Sequence, residues 1–129
     1  MLAIVETQDF SAYTDILAAL TLPEGFHLTE AKEEDGVKGY IIYAYEPEQV
    51  VIYALQDGHD LNCCDGLVRS VLFKAELRGI GRAAFRVQDM AMLERLRMLR
   101  FIQNDENVLH SIADIMESCK NCRENPANT

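Results

Sequence analysis

Apolar positions set the elements of this chain, and their period changes from two residues to three or four beyond Gln56. Residues 1–5 read as a short buried strand. Asp9 is placed to cap a helix running from Phe10 to about Leu20, with Phe10, Tyr13, Leu17 and Leu20 at helical spacing. Pro23-Glu24-Gly25 breaks the chain. Phe26 to Lys32 alternates as a strand, and Glu34-Asp35-Gly36 supplies hairpin-turn chemistry, because Gly accepts the positive φ such turns require. Val37 to Tyr45 is rich in strand-prone side chains. Glu46-Pro47-Glu48 turns the chain again into Gln49 to Leu55, an almost wholly apolar strand expected at the centre of a sheet.

The second half has a different rhythm. Gln56 to Cys64 is expected as a loop, with Asp57-Gly58-His59-Asp60 its polar part. A helix is predicted to open at Asp65-Gly66 and close at Arg78-Gly79, with Leu67, Val68, Val71, Leu72 and Ala75 on one face. Arg82 to Val87 follows as a strand. Asp89 caps a further helix whose buried side is Leu93, Leu96 and Leu99. Phe101-Ile102 begins a last strand, and Val108 to Glu117 carries helical spacing. Without a repeat or a linker, residues 1–122 read as one α+β domain with a polar tail at 123–129. The strand at 49–55 hands over to a helix N-terminus, whose first amides lack internal partners and so suit an anionic cofactor.

Composition narrows the classes. At 129 residues, 49% apolar and 26% charged, the chain suits one globular domain with one core. A formal net charge of −9 argues against a nucleic-acid or an anionic-membrane partner. Met1 to Val5 is too short for a signal-peptide core, and no apolar run approaches the roughly 20 residues that span a bilayer. A cytoplasmic setting with reduced thiols is therefore expected.

The four cysteines offer two readings. Cys63, Cys64, Cys119 and Cys122 match the ligand number of a structural zinc site, and Cys119-x-x-Cys122 has ligand spacing. Adjacent Cys63 and Cys64 do not, so ordinary thiols and no metal is the preferred reading. Either thiol, close to a helix start, could be reactive through a lowered pKa. Of the histidines only His59 lies beside the expected cradle; His27 and His110 read as surface residues. The tyrosines at 40, 43, 45 and 53 read as cross-strand packing.

The order strand, helix, three antiparallel strands, helix, strand, helix, strand resembles the GNAT superfamily of N-acetyltransferases (acyl-CoA N-acyltransferases) over roughly residues 1–103. The resemblance implies a mixed, mostly antiparallel sheet flanked by helices, in the order β-α-β-β-β-α-β-α-β(-α). It also implies acetyl-CoA or CoA held where the fourth and fifth strands splay, with the pyrophosphate on a Gln/Arg-x-x-Gly-x-Gly/Ala loop. That loop falls at Leu61-Asn62-Cys63-Cys64-Asp65-Gly66, where only Gly66 agrees and Asp65 would cap the amides a pyrophosphate needs. The implied cofactor contacts are Leu55, Gln56, Cys63, Cys64, Asp65, Gly66 and Leu67. The family's Leu-Tyr-x-x-Leu-Gly-Phe helix end is met by Arg95 to Phe101. Leu99 and Phe101 match, Arg100 stands at the Gly, and Leu96 stands where a proton-donating Tyr is frequent. Strand 49–55 has no Glu to serve as a base, which leaves Tyr53, Asp57, His59 and the thiols as catalytic candidates. Arg78-Gly79-Ile80-Gly81-Arg82-Ala83 fits the phosphate-loop pattern as a competing register. A non-catalytic relative that associates, for example as a homodimer through the sheet edge or the C-terminal helix, is the alternative to an enzyme, and a thiol or metal module is a third.

Overall fold

The computed structural model describes residues 2–116. Strands β1 (Ala3–Thr7), β2 (His27–Glu33), β3 (Gly36–Tyr45), β4 (Val50–Gln56), β5 (Ala83–Phe85) and β6 (Val108–Leu109) form one six-stranded sheet in sequence order. Every neighbouring pair is antiparallel except β4–β5. That pair is parallel because α2 (Leu61–Leu77) carries the chain back across the sheet. Helices α1 (Thr14–Ala19) and α3 (Met90–Met98) complete the order, and residues 112–116 are again helical. The mixed α+β architecture and the expected order of elements are both present.

The two faces of the sheet are unequally covered. Ile41, Tyr43, Ile52, Leu67, Val71 and Leu72 are fully buried between the sheet and α2, and α3 joins the same core through Met92 and Leu96. The α1 side holds a smaller cluster around Tyr13, Leu28 and Ile42. There Glu30 is 7% exposed and accepts a hydrogen bond from the Tyr13 hydroxyl, so its buried carboxylate has a partner.

Four expectations about boundaries are corrected. The first helix is shorter than Phe10 to Leu20. A 3-10 turn spans Ser11–Tyr13 and the α-helix covers only Thr14–Ala19. Asp9 accepts from the Ser11 amide at 3.1 Å, ahead of that turn, and does not cap the α-helix. Helix α2 opens at Leu61, not Gly66, because Asp60 supplies its N-cap. Phe101-Ile102 is not a strand: the Phe101 amide still bonds the Leu96 carbonyl at 3.0 Å, as the tail of α3. Val108 opens a strand rather than a helix. Asn104 clasps it, with Oδ1 accepting from the Val108 amide at 3.2 Å and Nδ2 donating to the Val108 carbonyl at 2.7 Å. The final helix waits for residue 112, where Ser111 Oγ accepts from the Asp114 amide.

Candidate functional site

Strand β4 outruns its parallel neighbour. Pairing with β5 runs from Val50↔Ala83 to Ile52↔Phe85, and the last rung is the Arg86 amide on the Ile52 carbonyl at 2.8 Å. Residues 54–56 of β4 remain paired with β3 alone among the described residues. At the same point the β3–β4 register jumps from Ile42↔Ala54 to Tyr43↔Ile52, which leaves Tyr53 bulged. A bulge bends its strand and adds twist, so β4 leaves β5 where the ladder has lost a rung on the other side.

Beyond Gln56 the chain turns tightly into α2. Gly58 and His59 both have positive φ, 62° and 60°, and the Asp60 amide bonds the Asp57 carbonyl at 3.2 Å. A side chain at Gly58 would meet the Lys38 carbonyl at 2.8 Å, so only glycine fits there without a shift. The Asp60 carboxylate accepts from the Asn62 and Cys63 amides at 2.8 and 3.4 Å and from Lys38 Nζ at 2.7 Å. The Lys38 hydrogen bond, followed by the two amides, holds the Asp60 carboxyl below its ordinary pKa.

Asp57 is fully buried. It receives two hydrogen bonds from Arg95 of α3, Nε to Oδ2 at 2.6 Å and Nη2 to Oδ1 at 3.0 Å, and a third from the His59 amide at 2.9 Å. This forked geometry is the strong form of a carboxylate–guanidinium pair. It ties the end of β4 to α3, the helix that follows β5.

The structure separates the residues that sequence placed together. Leu55 is buried and opposite Ile41, while Gln56 is exposed and its Oε1 accepts from the Gly58 amide at 3.1 Å. Cys63, Cys64 and Leu67 are fully buried in the core. Asp65 does not cap the helix; it pairs with Arg69 one turn on, at 2.9 Å. Gly66 packs toward Ile4. The amides of Cys64 to Val68 are therefore not free. Cys64 N–H bonds the Asp60 carbonyl at 3.0 Å, and the rest lie inside α2. Tyr53 is half-buried, with the Arg86 guanidinium 5.8 Å from its ring centre, and His59 is exposed.

The expected thiol reactivity is reversed. Burial, followed by the charge of Asp57, pushes the Cys63 thiol up to about 11 and the Cys64 thiol up to about 12. Cys119 and Cys122 lie outside the described residues. Among the described residues no group of three or more His, Cys, Asp or Glu is placed to hold a metal ion. Likewise, no described helix is long and apolar enough to cross a membrane.

The competing phosphate-loop register runs the wrong way. Arg78 ends α2 and Gly79, at φ 77°, leads into β5, so the segment is a helix-to-strand connection at the negative end of the helix dipole. At the end of α3, Leu96 is fully buried and Arg100 has φ 70°, the left-handed conformation suited to the glycine expected there by resemblance. Sequence reading missed Lys38 and Arg95. Each is far along the chain from its carboxylate, 22 and 38 positions away, and no local pattern announces such a pair. A cavity of about 650 Å³ lies near the end of α3 and around β6, lined among others by Arg69, Arg100, Phe101 and Ser111.

The sequence matches no protein-family model and no curated protein. Solved structures do match. Ribosomal-protein-alanine N-acetyltransferase from Brucella melitensis biovar Abortus superposes with a TM-score of 0.65 at 14% identity, over 81% of this chain and 94% of that one. A predicted acetyltransferase with acetyl-CoA from Clostridium acetobutylicum gives 0.57 at 12% identity, over 82% and 93%. With the splayed parallel pair and the element order, these matches establish that the chain has the GNAT acetyltransferase fold.

Proposed function

We propose that this protein binds the acyl-pantetheine arm of an acyl-CoA, such as acetyl-CoA, along residues 53–56 of β4, as an N-acetyltransferase-like protein. The observation that carries this reading is the divergence of β4 from β5 after Ile52, reinforced by the bulge at Tyr53. A strand edge with pairing on one side only leaves backbone donors and acceptors for an amide-bearing ligand. Leu55, Gln56 and Tyr53 are the residues of this chain closest to such an arm in sequence. For transfer, Tyr53 and His59 remain as candidate proton carriers. Asp57 does not, because both its carboxylate oxygens are already taken by Arg95 and the His59 amide. Calorimetric titration with acetyl-CoA should give saturable binding; no heat and no change in Tm at millimolar ligand would remove the reading.

A second reading has its own support. The buried Leu96 cannot donate a proton, and the Asp57–Arg95 bridge ties the end of β4 to α3. Both favour a protein that retains the fold and associates with partners, a second copy included, without transferring an acyl group. Binding of acetyl-CoA without turnover over a panel of amines would select this reading.

A further inference from the structure

Resting on the acyl-arm reading, we infer that the cleft recognises a pantetheine thioester alone, and that the nucleotide diphosphate end of CoA adds nothing to affinity. A helix N-terminus attracts phosphate through free amides and the positive end of its dipole. Here that end is already engaged. Among the first residues of α2, Asn62 and Cys63 donate to the Asp60 carboxylate, and Cys64 donates to the Asp60 carbonyl. A pyrophosphate would have to displace a charged cap that is itself bonded to Lys38.

Lys38 and Arg95 are committed as well. Lys38 bonds both Asp60 and Glu33, at 2.7 and 3.1 Å. Arg95 is bidentate on the buried Asp57. The start of α2 therefore presents carboxylates already matched by Lys38 and Arg95 on a chain of net charge −9, while the Arg86 guanidinium lies over the Tyr53 ring. What stays open is the edge of residues 53–56, roughly 13 Å of strand. That length suits an extended arm carrying two amides and is short for a peptide strand.

The test compares S-acetyl-pantetheine with acetyl-CoA on the full chain by calorimetry. The inference expects dissociation constants within about threefold of each other. Acetyl-CoA binding tenfold tighter or more would overturn it and leave the acyl-arm reading standing. Binding of neither ligand would overturn both. Asp60→Asn sharpens the comparison, because Asn caps a helix as well as Asp and the variant should fold. It should tighten acetyl-CoA by about tenfold, through loss of the repelling charge and release of Lys38, and leave S-acetyl-pantetheine unchanged. Equal effects on the two ligands would count against the inference.

Discussion

The two halves of β4 differ although they are one strand. Val50, Val51 and Ile52 are fully buried and paired on both sides, by β3 and by β5. Beyond them, Tyr53 is bulged and residues 54–56 are paired on one side, ending in an exposed Gln56 with a buried aspartate next in line. The inner half is what the sheet needs to be stable. The outer half has a second edge on which the sheet's own pairing does not depend. The divergence starts where β5 stops, after three residues, next to the bulge at Tyr53 of β4.

The strongest way to break this contrast is mutation at its two ends. Ile52→Ala should cost about 3–4 kcal/mol in urea denaturation, as for other fully buried isoleucines. A cost below 1 kcal/mol would mean the inner half is not the anchor. Asp57→Asn should cost about 3 kcal/mol, since it leaves the Arg95 guanidinium without its charged partner. The same variant should change acyl-ligand affinity, whereas Ile52→Ala should not at temperatures where it stays folded. Tyr53→Ala is expected to cost only about 1 kcal/mol, in line with a half-buried bulge residue.

Two weaker effects sharpen the picture on the helix side. With thiols raised in the folded chain above their ordinary value of 9.0, the folded state holds protons that the unfolded state has lost. Stability from Cys63 and Cys64 is therefore complete below about pH 9 and declines as pH rises toward 11–12. A Cys63→Ala/Cys64→Ala variant should have a flatter denaturation midpoint over that range. Native alkylation at pH 8, read on the peptide carrying both residues, should be far slower than in urea. Smallest of all, Arg100→Gly should raise stability by about 0.5–1 kcal/mol, because relief of a left-handed conformation exceeds the entropy a glycine adds to the unfolded chain.

The meander, the crossover helix and the order of elements were legible because alternation and helical spacing are local properties of residues 26–55 and 66–99. The start of α2 was not. Asp65-Gly66 drew the boundary, with Asp60 read as part of the polar loop, whereas the tight turn at Gly58-His59 makes Asp60 the cap. The strand at Val108 was hidden for a similar reason: its short ladder with β5 is fixed by the Asn104 clasp and not by its own side chains. In the site, resemblance pointed to β4 and α2 but not to the ion pairs. Lys38 and Arg95 meet their carboxylates only after the chain has folded.

Gly39 sits where β3 passes the end of β4, and a Cβ there would collide with the Gln56 carbonyl and come within 3.2 Å of the Asp57 Cα. The obstacle is main chain, which cannot step aside as a flexible side chain could. Drift at this position is thus barred by geometry, whatever chemistry the cleft performs. A remote homologue sharing this junction should betray itself by a glycine at the equivalent place, even where its charges and thiols have been replaced.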